Sequence, residues 1–87
     1  MDVQLTGPAV ITQNGDISYK AVVDGEAIPC RFSTETLEDI DPANRMDDVL
    51  SLFEANRSEL LGIAEKKIRE GKIEDGKVFV FTADLAT

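Results

Sequence analysis

From Ile17 to Phe32 apolar and polar side chains alternate on both sides of Asp24-Gly25, a dipeptide suited to a two-residue hairpin turn. Such a turn sets Val23 against Glu26, Ala21 against Ile28, Tyr19 against Cys30 and Ile17 against Phe32. One face of the ribbon then collects nearly all the large apolar groups, while Ser18, Lys20 and Arg31 take the other. A second hairpin signal, Asn14-Gly15, follows a strand expected over Ala9 to Gln13, after a short tail closed by Gly7-Pro8. A two-residue turn there places Val10 opposite Tyr19 and Thr12 opposite Ile17, on the face that the other hairpin buries. Pro29 falls opposite Lys20, where its missing N–H would have pointed outward, so Glu26 to Phe32 is expected to be an edge strand.

Past Phe32 the period lengthens. Ser33 caps a short helix whose inner side shows Leu37 and Ile40. Asp41-Pro42 then starts a long helix from about Pro42 to about Glu70, with Asp41 as N-cap and Asn44 as a later alternative. Met46, Leu50, Phe53, Leu60, Leu61, Ala64 and Ile68 recur at helical spacing, Glu65 stands four residues before Arg69, and Gly71 supplies the stop. A last strand, Lys77 to Ala83, follows Asp75-Gly76, with Val78 and Val80 on one side and Phe79 and Phe81 on the other. The expected fold is α+β: a four-stranded antiparallel sheet, a meander of three strands with the C-terminal strand beside the first (order 4-1-2-3), covered by one short and one long helix. Residues 1–87 are enough for one small domain.

That arrangement leaves apolar groups uncovered. The last strand is apolar on both sides, and the second sheet face also presents Ile11, Val22, Ala27 and Pro29, which calls for a folded-back terminus or a partner subunit. Leu52 and Ile63 lie roughly 100° from the main helical stripe and add a second, weaker strip. A homodimer is therefore expected, meeting through part of the second sheet face or through that strip.

Composition narrows the chemistry. With 17 Asp and Glu against 9 Lys and Arg the formal charge is −8, which argues against a nucleic-acid partner because phosphate binding rests on clustered bases. The acids gather from Glu35 to Asp48 and the bases from Lys66 to Lys77, as the dipole of a helix between them favours. No apolar run suggests a membrane span, the N-terminus lacks the pattern of a signal peptide, and the single cysteine fits a reducing compartment, so a cytoplasmic location is expected. The sequence has no histidine, which removes histidine-based triads and the commonest metal ligand. The acids from Asp39 onward do not make a calcium loop, since Asn44 and Leu50 stand where glycine and glutamate are required. No metal or other cofactor is expected.

Two residues stand out. Cys30 points inward beside Tyr19 and reads as a structural cysteine. Arg57 falls at the centre of the helical stripe, one turn after Phe53 and before Leu60 and Leu61, where a charge needs a partner. Either its guanidinium reaches the rim or pairs with an internal carboxylate, or it anchors an acidic ligand or a partner's carboxylate with Tyr19 or Asn56 beside it. The leading functional expectation is a non-enzymatic binding or protein-interaction module that self-associates and contacts a protein or small acidic ligand near Arg57. The alternatives are a small enzyme using carboxylates or Cys30, and an acidic mimic of nucleic acid.

Val23-Asp24-Gly25, Ile28 and Cys30, Ser33 to Asp39, Phe53 to Arg57 with Ala64 and Ile68, and Gly76-Lys77-Val78 together resemble the small bacterial family called domain of unknown function fourteen-eighty-eight. The resemblance spans almost the whole chain and lies in the combination, above all the hairpin cysteine followed by phenylalanine and arginine four apart on the long helix. It implies a bacterial source and a compact α+β fold. The family carries no assigned activity, so the resemblance transfers no catalytic or binding residue.

Overall fold

A computed structural model of the chain describes residues 1–44 and 47–86. Met46, expected on the helical stripe, lies outside the described residues. Strand β1 (Val3–Ile11) pairs antiparallel with β2 (Ile17–Val23), and β2 with β3 (Glu26–Phe32). The β2/β3 register is the one that Asp24-Gly25 implies: Ile17 to Phe32, Tyr19 to Cys30 and Val23 to Glu26. Both turn residues sit at positive φ, 51° and 85°, so the backbone twist of the turn matches that of the strands.

The first hairpin differs by one residue. Asn14-Gly15 is part of a longer loop, in which the Thr12 amide bonds to the Asp16 carbonyl (2.8 Å) and the Gly15 amide to the Thr12 carbonyl (3.0 Å). The Thr12 hydroxyl also meets the Asp16 carboxylate. Three residues, not two, now separate the closing pair, so Ala9 faces Tyr19, Val10 faces Ser18 and Ile11 faces Ile17. A one-residue slip exchanges faces. Val10 therefore lies on the open face at 50% exposure, and Ile11 lies on the helix side at its margin, 53% exposed. The strand also begins earlier than expected, running through a register break between Leu5 and Ala9 that contains the cis Gly7-Pro8 bond.

Three helices follow among the described residues: α1 (Thr34–Ile40), α2 (Val49–Ala55) and α3 (Arg57–Arg69). Ser33 caps α1 as expected, accepting the Thr36 amide, and Leu37 is buried. The single long helix is not formed. Pro42–Asn44 makes only a 3-10 turn, Asp48 rather than Asp41 caps the next helix by accepting the Ser51 amide at 2.9 Å, and Asn56 separates α2 from α3. α2 buries Leu52 and Phe53, whereas α3 buries Leu60, Leu61, Ala64 and Ile68. At 100° per residue the inward directions of the two helices differ by roughly 80°. This turn places Leu52 in the core, where the sequence assigned it to a second strip, and leaves Leu50 exposed.

β4 (Val78–Val80) completes the sheet, but beside β3 and parallel to it, giving the order β1-β2-β3-β4. The order 4-1-2-3 and the purely antiparallel pairing are thus corrected. The connection from Phe32 to Val78 is helical, and a helical crossover is what joins parallel neighbours. β3 is consequently not an edge strand over Cys30–Phe32, where β4 pairs with it; Pro29 lies just before that stretch, so its missing N–H interrupts no bond to β4. Val78 and Val80 point into the core, as the alternation predicts.

The helices cover one face of the sheet. The core lies between, centred on Phe53, whose ring centroid is 5.6 Å from that of Tyr19 and 5.3 Å from that of Phe32. Among the described residues no helix is long and apolar enough to cross a membrane.

Candidate functional site

Arg57 reaches Tyr19 beside the α2/α3 junction, which is made by Asn56. Asn56 is used up in the backbone: its amide donates to the Leu52 and Phe53 carbonyls (both 3.2 Å), its side-chain nitrogen to Leu52 O (3.0 Å), and its carbonyl accepts the Leu60 amide (3.0 Å). Arg57, the first residue of α3, turns back over the sheet. Its Nη2 donates to the Tyr19 hydroxyl at 2.7 Å and its Cζ lies 5.4 Å from the Tyr19 ring centroid, so the cation is within attractive range of the ring whose hydroxyl it also satisfies. Nη1 meets Glu54 at 3.5 Å, and the Arg57 side chain remains 49% exposed. Among the described residues no buried carboxylate meets it, and the guanidinium reaches the rim.

Tyr19 itself is buried. On its other side the chain passes at Gly7, where an added Cβ would come within 3.0 Å of ring atoms Cε2 and Cζ; a φ of 68° makes the position doubly selective for glycine. The depression around Arg57, about 390 Å³, is also lined by Glu54 and Glu59, so one cation faces two carboxylates there. The structure brings Arg57 to Tyr19, and it turns Asn56 into the helix junction instead of outward.

Cys30 is fully buried, and burial pushes its thiol up to about 11. Its thiolate is therefore scarce at neutral pH. Asp48 is held below the usual carboxylate range by the Ser51 amide and hydroxyl, so it serves as a cap. Among the described residues no three His, Cys, Asp or Glu side chains gather in a way that could hold a metal.

The helix-free face of the sheet is a broader feature. A shallow concavity of about 380 Å³ runs over three strands, lined by Pro8, Val10, Ser18, Lys20, Ala27 and Pro29. On a chain of charge −8 this lining contains no carboxylate. Nearby, Arg31 pairs with Asp16 at 3.2 Å. Burial alone would raise the Asp16 carboxyl, yet bonds from Thr12 and Arg31 outweigh it and hold the group low.

A further polar cluster lies at β4. Lys67 Nζ donates to the Phe79 carbonyl (2.5 Å) and to Asp84 Oδ2 (2.9 Å), and the same Asp84 oxygen accepts the Phe81 amide at 2.8 Å. Asp84 belongs to a 3-10 segment, Thr82–Ala86, also tied down by a 3.0 Å bond from the Thr82 hydroxyl to Asp39. The expected strand to Ala83 stops at Val80 because Asp84 captures the Phe81 amide. The sequence held little sign of this pair, since 17 positions separate Lys67 from Asp84.

Comparison with known proteins agrees with this architecture. The model of the family described as "Protein of unknown function (DUF1488)" matches residues 8–80. The chain belongs to this family. A crystal structure of a DUF1488 protein of unknown function from Shewanella loihica PV-4 is similar, with 26% identity, a TM-score of 0.80, and coverage of 92% of this chain and 94% of that one. No curated protein matches the chain. The DUF1488 match begins at Pro8, within the register break that brings the backbone onto Tyr19, and ends at Val80, the last residue of β4.

Proposed function

We propose that this DUF1488 chain is a non-enzymatic protein-interaction module whose working surface is the helix-free face of the sheet. The observation that carries the reading is the carboxylate-free, partly apolar concavity around Val10, Lys20, Ala27 and Pro29 on an otherwise acidic chain. A half-exposed valine between prolines gains by being covered, and a partner there meets no wall of negative charge. The inaccessible, weakly acidic Cys30 thiol favours binding over cysteine catalysis. A bacterial, cytoplasmic setting belongs to the same reading, supported by the Shewanella structure and by the single buried cysteine.

A second contact is supported by Arg57. Its guanidinium is already oriented by Tyr19, so an acidic group that displaces Glu54 would find donors in place. The two local carboxylates make this the weaker surface.

Photo-crosslinking in the native cell tests the main reading. A benzophenone side chain placed at Val10 is expected to give a discrete adduct that the same group at Lys66, exposed on α3 and away from Arg57, does not give. Equal labelling at both positions, or none at Val10, would refute it.

A further inference from the structure

One carboxylate of this chain is seated as a bound anion would be. Asp84 Oδ2 accepts both the Lys67 ammonium (2.9 Å) and the Phe81 amide (2.8 Å), a cation and a backbone donor converging on one oxygen. Lys67 does not owe its place to Asp84. Its Nζ also donates to the Phe79 carbonyl at 2.5 Å and lies 5.8 Å from the Phe81 ring centroid, and its side chain is only 15% exposed. A lysine fixed by other groups stays aimed when the carboxylate leaves, so the notch is organised in advance for an anion.

Its surroundings carry the complementary charge. A hollow of about 120 Å³ beside Asp84 is also lined by Ile63, Lys66, Lys67, Glu70 and Lys72. Without Asp84 that lining keeps three cations against one anion, Glu70, itself 3.4 Å from Lys72. Such an excess on a chain of charge −8 favours an anion of more than one charge. The hollow is well below the roughly 300–1,000 Å³ that takes a drug-sized ligand, so it suits a small ion.

The segment that delivers Asp84 is lightly held. Thr82 and Ala83 are exposed, and the other ties of Thr82–Ala86 to the body are the 3.0 Å bond from the Thr82 hydroxyl to Asp39 and the partly buried Leu85. Val80, just before it, is fully buried. Few buried contacts place such a segment at the low end of local stability, so it can lift while β4 stays in the sheet.

We propose that the notch formed by Lys67, Lys72 and the Phe81 amide is a carboxylate site which Asp84 fills in the closed state, and that a small dicarboxylate takes its place and releases the strap Thr82–Ala86. A short tether gives Asp84 an effective concentration of the order of millimolar, so the ligand must act in or above that range. This site is separate from the helix-free face, and its failure leaves the reading of that face untouched.

Nuclear magnetic resonance of the purified protein tests it, with succinate as the probe at about 1 to 100 mM and constant ionic strength. The amide signals of Ala83, Asp84 and Leu85 are expected to move saturably towards random-coil positions while those of Val78 and Val80 stay. Lys72→Gln, at an exposed position, should raise the succinate concentration required by about twofold or more. In Asp84→Ala, where the notch is emptied, acetate should shift the Phe81 amide saturably and chloride should not. An intact chain that shows no saturable response to succinate overturns the proposal, as does an equal response to neutral succinamide. Acetate no more effective than chloride in Asp84→Ala overturns the notch as a carboxylate site. An acetate response in Asp84→Ala with no succinate effect on the intact chain overturns the exchange and makes Asp84 a fixed tie.

Discussion

At the residue scale Tyr19 joins the two layers. Its hydroxyl is satisfied by Arg57, its ring packs on Phe53, and Gly7 passes close on another side. Arg57→Ala removes a cation held near the ring and leaves that hydroxyl without its donor, so we expect a loss of about 1–2 kcal/mol in urea unfolding. In a Tyr19→Phe background the same substitution should cost less, because the hydroxyl that Arg57 serves is gone; equal costs in both backgrounds would show the two residues to be uncoupled. Gly7→Ala should cost about 1–3 kcal/mol, since alanine resists positive φ and its Cβ would press on the ring. Cys30 adds a pH signature. Its thiol is raised to about 11 in the fold from an ordinary value of 9.0, so the unfolded chain releases the proton first. Stability is complete below pH 9 and falls as pH climbs towards 11, by on the order of 2 kcal/mol, and the fall should be shallower in Cys30→Ala.

At the element scale, legibility followed locality. Asp24-Gly25 decides its hairpin because both residues must adopt positive φ, which that dipeptide does readily, and every pair from Ile17–Phe32 to Val23–Glu26 follows. Asn14-Gly15 carries an equal signal but is drawn into a longer loop by Thr12 and Asp16, and one extra residue exchanges Val10 with Ile11. The helical period from Phe53 to Ile68 was readable, whereas the change of inward direction at Asn56 was not: it depends on Leu52 and Phe53 finding the sheet, a tertiary contact. The position of Arg57 was legible to the extent that one line on α3 contains it; its choice of Tyr19 over a buried carboxylate was not. The segment Thr82–Ala86 depends on Asp84. Burial tends to raise that carboxyl, but the Phe81 amide and Lys67 prevail and lower it, so the stability it brings is present above its ordinary value of 3.8 and is lost as pH falls below. Asp84→Asn should therefore speed amide exchange at Phe81 near neutral pH and reduce the stability lost on acidification.

At the scale of the whole molecule the sheet order was the feature least open to sequence reasoning. A strand such as Lys77 to Ala83 carries its own pattern but no mark of its neighbour, so the sequence set it beside the first strand where the fold sets it beside β3; the helical crossover was a clue to parallel pairing only. That order puts β1 and β4 on opposite sides of the sheet and leaves the face between them open. If apolar contact holds a partner there, association should survive about 1 M salt, because screening weakens exposed ion pairs far more than buried area. Loss of the complex in salt would instead point to charge as its cement.

The side-chain pair at β4 has one more consequence. In a parallel ladder a single residue of the neighbouring strand donates to one carbonyl and accepts from the amide two positions on. Lys67 and Asp84 do this to Phe79 and Phe81. They stand in for one residue of a fifth strand, supplied by a helix and a tail that cannot extend it. The sheet is thereby told where to end, and a chain lacking the pair would offer Phe79 and Phe81 as a template on which the next molecule could grow.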